Sequence, residues 1–167
     1  MYPVKLGFEE AIKRIQELSK NGHHAESLVT STFTAEKTIR RTLRQLVVSA
    51  GFKSSIADKI LNNIHGLEAL KKNWEFYEPN HKRLTDIISP EDWKIIKDNS
   101  ERRNDLVHGT RVFSLSLCET ETTNNITALT NIKRTFDSIY GYSGWTKTAI
   151  RKQSKLHADP KVKKVVD

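Results

Sequence analysis

The sequence predicts an all-α fold, a helical bundle of about five helices with a basic C-terminal tail. Three observations carry that prediction. Glycine and proline, the residues least compatible with a helix interior, number 7 and 4 in a chain of 167. Apolar residues recur mostly three and four positions apart, the spacing that lines one face of a helix. The periodic segments are bounded by residues that open or close helices.

Phe8, Ala11, Ile12, Ile15 and Leu18 mark a first amphipathic helix, stopped at Asn21-Gly22. A longer helix follows from about residue 25 to 50, with Ile39, Leu43, Leu46, Val47 and Ala50 as its stripe and Gly51 as its stop. Ser54 or Ser55 is expected to cap a helix carrying Ile56, Ile60, Leu61 and Ile64, ended by Gly66. Residues 67–77 form one more short helix, broken by Glu78-Pro79-Asn80. Ser89-Pro90-Glu91-Asp92 is a strong start: a capping serine, a proline in the first turn and two acids at the positive helix end. That helix carries Trp93 and Ile96 and runs to Gly109, a left-handed terminator. VFSLSLC, residues 112–118, alternates apolar and serine positions and reads as a short extended stretch. From about Thr123 the helical pattern returns in Ile126, Leu129, Ile132, Phe136 and Ile139, ending at Gly141. The division expected is a bundle over 1–145 and a flexible basic tail over 146–167.

Composition bounds the function classes. With 37% hydrophobic and 29% charged residues, the chain belongs with folded proteins rather than disordered ones. No apolar run approaches the roughly 20 residues that span a bilayer. The opening MYPVKLGFEEAIKRIQ turns acidic and amphipathic where a signal peptide would be apolar, so a cytoplasmic protein is expected. One cysteine, Cys118, excludes an internal disulfide framework and a cysteine-built zinc site. His23, His24, His65, His81 and His157 have no partners at metal-ligand spacing and are expected at the surface, and no cofactor is implied. The formal charge of +8 favours polyanionic partners, though the last 22 residues hold seven Lys and Arg against two Asp.

The residues with the most chemistry are SERRNDLVHGT, 100–110. Asn104 and His108 are four apart and share a helix face. Arg103 and His108 are five apart, about 140° around an ideal helix, and meet if the helix ends at His108. Asn104 would then orient the imidazole or a phosphate oxygen, while Arg103 approaches from the flank. Histidine titrates near neutrality and can move a proton to or from a ribose 2′-OH or a leaving 5′-oxygen. Arginine stays charged and presents paired donors to phosphate oxygens. The plainer reading is an exposed helix end whose basic side chains meet unpaired carbonyls, worth about 0.3–1 kcal/mol.

Arginine, a polar residue, then histidine five positions after the arginine resembles the signature of the HEPN superfamily, here RNDLVH at 103–108. The resemblance implies a compact helical bundle that usually dimerises, and in many members a metal-independent endoribonuclease of toxin–antitoxin or antiphage systems. It assigns Arg103, Asn104 and His108 as the active-site set, RNA as substrate, and a neutralising antitoxin or regulatory protein as partner. Some such toxins carry a tyrosine two residues after the histidine as a modification site; Thr110 stands there in this chain, which puts that regulation in doubt. The resemblance equally allows a non-catalytic RNA-binding, nucleotide-binding or protein-interaction module of the same fold.

Further substrate contacts are expected from Arg102 and Arg111 beside the motif, and from Lys37, Arg40, Arg41 and Arg44, spaced as one helical face. A solvated face, partly balanced by Glu36 four residues before Arg40, explains the latter four as well. Trp74, Phe76 and Tyr77 could stack on bases, but packing explains them better.

Overall fold

Every regular element in residues 7–145, the range described by the computed structural model, is helical. In chain order these are α1 (Phe8–Lys20), α2 (His24–Ser49), α3 (Ser54–Asn62), α4 (Gly66–Tyr77), α5 (Leu84–Ile87), α6 (Pro90–His108) and α7 (Leu115–Tyr140). The all-α expectation holds, with seven helices in this range where about five were expected. The proposed basic tail, 146–167, lies outside the described residues.

α2 is the axis of the bundle, packing against α1, α3, α4, α6 and α7. A helix surrounded on so many sides needs a covered polar face as well as an apolar one. Leu28, Ala35, Ile39, Leu43, Leu46 and Val47 are fully enclosed, and so are Ser27, Ser31, Thr38 and Thr42. A buried hydroxyl without a partner costs roughly 1–3 kcal/mol. Here the threonines turn back onto their own helix, Thr38 Oγ1 to the Thr34 carbonyl at 2.8 Å and Thr42 Oγ1 to Thr38 at 2.9 Å. Trp74 of α4 stacks on Phe136 of α7 with ring centroids 5.1 Å apart, both fully buried in the core.

Three local expectations change. The stretch 112–118 is not extended: Val112 to Ser114 connect, and α7 begins at Leu115 with Ser114 accepting from the Leu117 amide at 3.2 Å. The buried stripe of α7 starts with Cys118, Thr122 and Asn125, so its first turns lack the apolar periodicity that marks the rest. Neither Ser54 nor Ser55 caps α3, whose N-cap is Lys53 without a side-chain bond. Gly66 opens α4 instead of closing α3, using a φ of +77° that a side chain would disfavour. The four-residue α5 follows Pro79 and buries Leu84 beneath the loop.

Past Gly141 the chain folds back over α2. The Trp145 indole N–H donates to Thr38 Oγ1 at 3.0 Å, and its ring meets Phe8 edge-on at 5.4 Å. Gly144 passes so close that a Cβ there would stand 2.7 Å from Arg41 Cβ. α1, α2 and the closing segment are thereby held together.

Candidate functional site

α6 positions the RNDLVH residues, and both of its ends are fixed locally. Ser89 accepts from the Asp92 amide at 3.1 Å, and proline occupies the first turn. At the other end Gly109 adopts φ +66°, with its N–H on the Leu106 carbonyl at 3.3 Å. The Thr110 N–H reaches the Asp105 carbonyl at 2.9 Å, completing a Schellman closure. The Thr110 hydroxyl adds a bond to the Asp105 carboxylate at 2.7 Å. Asp105 therefore seals the helix end. His108 is the last helical residue and is exposed.

Arg103 points across to α2. Its Nη1 donates to Glu36 Oε2 at 3.2 Å, and its Nη2 to Asn104 Oδ1 at 3.0 Å. The ion pair is mostly covered, with side-chain exposures of 19% and 15%. Glu36 thus turns to the motif, 67 positions away, where the sequence suggested balance with Arg40. Arg103 and Asn104 stand on a ridge between two clefts. One, of about 400 Å³, is walled by Val29, Thr30, Phe33 and Val107. The other, of about 220 Å³, faces His65, Glu68, Lys97, Ser100 and Glu101. His108 lies one helical turn beyond Asn104, outside both walls.

Arg102 belongs to a different environment. Its Nη1 donates to Asn99 Oδ1 at 2.8 Å and to Glu121 Oε2 at 3.2 Å. The Asn99 amide continues to Asn125 Oδ1 at 3.1 Å, and Asn125 donates to Ser31 and Thr32 at 3.0 and 2.8 Å. Asn99 and Asn125 are fully buried, so this chain ties α6, α7 and α2 together with each amide satisfied. Sequence reasoning missed Glu121 and Asn125, and it gave Glu36 to Arg40 instead of Arg103. Only Asn125 carried a signal, as an amide on the buried stripe of α7.

The four cations of α2 do not share one open face. Arg40 donates to the Leu61 and Ile64 carbonyls at 2.8 and 2.5 Å, pinning the α3–α4 turn. Arg41 donates to the Gly144 carbonyl at 3.2 Å and lies 5.8 Å from the Trp145 ring. Arg44 pairs with Asp58 at 2.6 Å; that hydrogen bond raises the guanidinium pKa and lowers the carboxyl's. Lys37 lies 5.7 Å from the Phe33 ring, its pKa lowered by burial and then by Arg41. Arg111 is exposed beyond the helix end. Trp74 is fully buried and cannot meet a base, while Phe76 is exposed.

Among the described residues no three His, Cys, Asp or Glu side chains are grouped to hold a metal ion, and no helix is long and apolar enough to cross a membrane. No family model, curated protein or solved structure matches this chain.

Proposed function

We propose that this protein is a metal-independent endoribonuclease of HEPN type, with Arg103, Asn104 and His108 as its active-site set. One observation carries the reading: the Arg103 guanidinium is hydrogen-bonded to Asn104 at the rim shared by two clefts, with His108 exposed one turn further on. A phosphodiester laid along this rim meets the Arg103 cation and an exposed imidazole. The ribose 2′-oxygen attacks phosphorus while the bond to the 5′-oxygen breaks, leaving a 2′,3′-cyclic phosphate and a 5′-hydroxyl. An imidazole takes the 2′-OH proton and an imidazolium protonates the leaving oxygen. Arg103 stabilises the charge growing on the non-bridging oxygens.

Pairing of two copies is part of this reading. Phe33 and Val107, 44% and 63% exposed, flank Arg103 as an apolar surface suited to a two-fold contact. Such a contact would bring two motifs together. A nuclease of this kind also calls for a neutralising antitoxin or a regulatory protein.

A second reading is a non-catalytic RNA-binding or protein-interaction module; the Glu36 pair supports the absence of cleavage in it, because it neutralises the guanidinium that would stabilise the transition state. Incubation of the protein with mixed RNA in EDTA separates them. The nuclease reading expects cleavage that His108→Ala and Arg103→Ala each reduce by roughly 100-fold or more. Binding without cleavage supports the module, and neither activity leaves helix-end electrostatics as the role of the motif.

A further inference from the structure

The nuclease reading leaves one chemical requirement open within a single protomer. Transesterification needs a proton acceptor and a proton donor, and RNDLVH supplies one imidazole. A second stands nearby. His65 lines the same 220 Å³ cleft as Arg103 and Asn104, contributed by the start of α4.

The placement of His65 is built into the fold. It is the N-cap residue of α4, in extended conformation and making no side-chain cap bond, so its ring is not occupied in closing the helix. Its backbone is anchored from behind. The Arg40 guanidinium takes both the Leu61 and Ile64 carbonyls, and Ile64 immediately precedes His65. Gly66, with nothing within 4 Å of where a Cβ would stand, leaves the cleft wall open beside the ring. On the facing helix, Lys97, Glu101, Asn104 and His108 follow one another at steps of four, three and four, a single stripe of α6. His108 is about 6 Å further along that axis than Asn104. A strand following the stripe therefore passes His65 and Arg103 before it reaches His108.

The cleft is smaller than the roughly 300–1,000 Å³ of a typical small-molecule pocket. It suits one phosphate and its ribose within a longer chain rather than a whole free ligand. Four charged groups besides His65 line it: Lys97 and Arg103 attract phosphate, whereas Glu68 and Glu101 oppose it. Glu68 is paired with Lys71 at 2.7 Å, and Arg103 with Glu36. With those pairs closed, Lys97 and Glu101 offset each other, so a phosphate here relies on directed donors, Lys97, Arg103 and the His65 ring, rather than on net charge.

We infer that this cleft is a phosphodiester subsite in which His65 contacts RNA beside Arg103, giving each protomer a second imidazole to work with His108. This rests on the RNA-cleaving reading but not on pairing of two copies. In cleavage, one imidazole takes the 2′-OH proton and the other, as imidazolium, returns a proton to the 5′-oxygen. Proton count is conserved and nothing is oxidised.

The test has two arms. In the first, the histidine rings of the full chain are followed by NMR against pH, with and without a 2′-O-methyl oligoribonucleotide that cannot be cleaved. The His65 ring resonances move on binding, and Lys97→Ala diminishes that change. In the second, the pH–rate profile of His65→Gln is compared with wild type: kcat falls roughly 100-fold and one limb of the bell is lost, while KM changes little. His65 is exposed and makes no cap bond, so the substitution leaves the fold intact. A His65 ring that ignores the oligonucleotide, or a His65→Gln enzyme with the wild-type bell, overturns the assignment while leaving the nuclease reading standing. A wild type that binds and shifts His65 but never cleaves overturns the nuclease reading and keeps the subsite.

Discussion

Arg103 meets two carbonyl-type oxygens, and they have different consequences. Asn104 is neutral and fixes the plane of the guanidinium, while Glu36 neutralises its charge. RNA bound at the ridge must share Arg103 with that carboxylate. Glu36→Gln keeps an acceptor and removes the charge, so RNA affinity measured by fluorescence anisotropy is expected to rise about fivefold at low salt. Stability by urea unfolding is expected to fall by about 1 kcal/mol, since a mostly covered ion pair is lost. Weaker RNA binding by this variant would mean that Arg103 does not face phosphate. The adjacency of Arg103 and Asn104 was legible in the sequence because a helix fixes the spacing of its own residues. The Glu36 partner was not, because it comes from a helix 67 positions earlier.

At the scale of elements, α6 is the best-specified helix, and its end is what presents His108. Gly109 holds φ +66° with open space where a Cβ would be, so alanine meets backbone strain rather than a clash. Gly109→Ala is expected to cost about 1–2 kcal/mol in thermal or urea unfolding. Cleavage should fall further than the lost stability explains, because unwinding the last turn displaces the imidazole while Arg103 stays tied to α2. Equal loss in both would detach His108 from function. The cap, proline and glycine made these limits readable in advance. The start of α7 departs from the expected extended stretch for a related reason: Thr122 and Asn125 hold stripe positions that apolar periodicity does not mark.

At the scale of the whole molecule, a contact between α4 and α7 sets part of the response to pH. Glu78, buried at the end of α4, accepts from the Asn80 and Lys82 amides at 2.6 and 2.8 Å and from the Tyr140 hydroxyl at 3.2 Å. Burial, then the Glu78 charge, raises the Tyr140 phenol well above its ordinary value. In the unfolded chain that phenol ionises near pH 10, and in the folded chain only above it. Its contribution to stability is therefore complete below about pH 10 and is lost as pH rises beyond, because the unfolded state releases the proton first. Tyr142, also raised by burial, adds in the same direction. Urea unfolding at rising alkaline pH should show wild-type stability declining more steeply than that of Tyr140→Phe. Parallel curves would refute this assignment.

The sequence by itself determined the helical class, the limits of α6, the left-handed stop at Gly109 and the order of side chains in RNDLVH. All of these follow from interactions within a few residues, which local spacing dictates. Only the tertiary structure decided what each cation faces. Arg40, Arg41 and Arg44 look alike on a helical wheel, yet they hold the α3–α4 turn, the closing segment and Asp58 respectively. It also decided that His65 opens onto the cleft of Arg103. Contacts of that kind depend on how helices distant in sequence pack around α2, which no single helical period encodes.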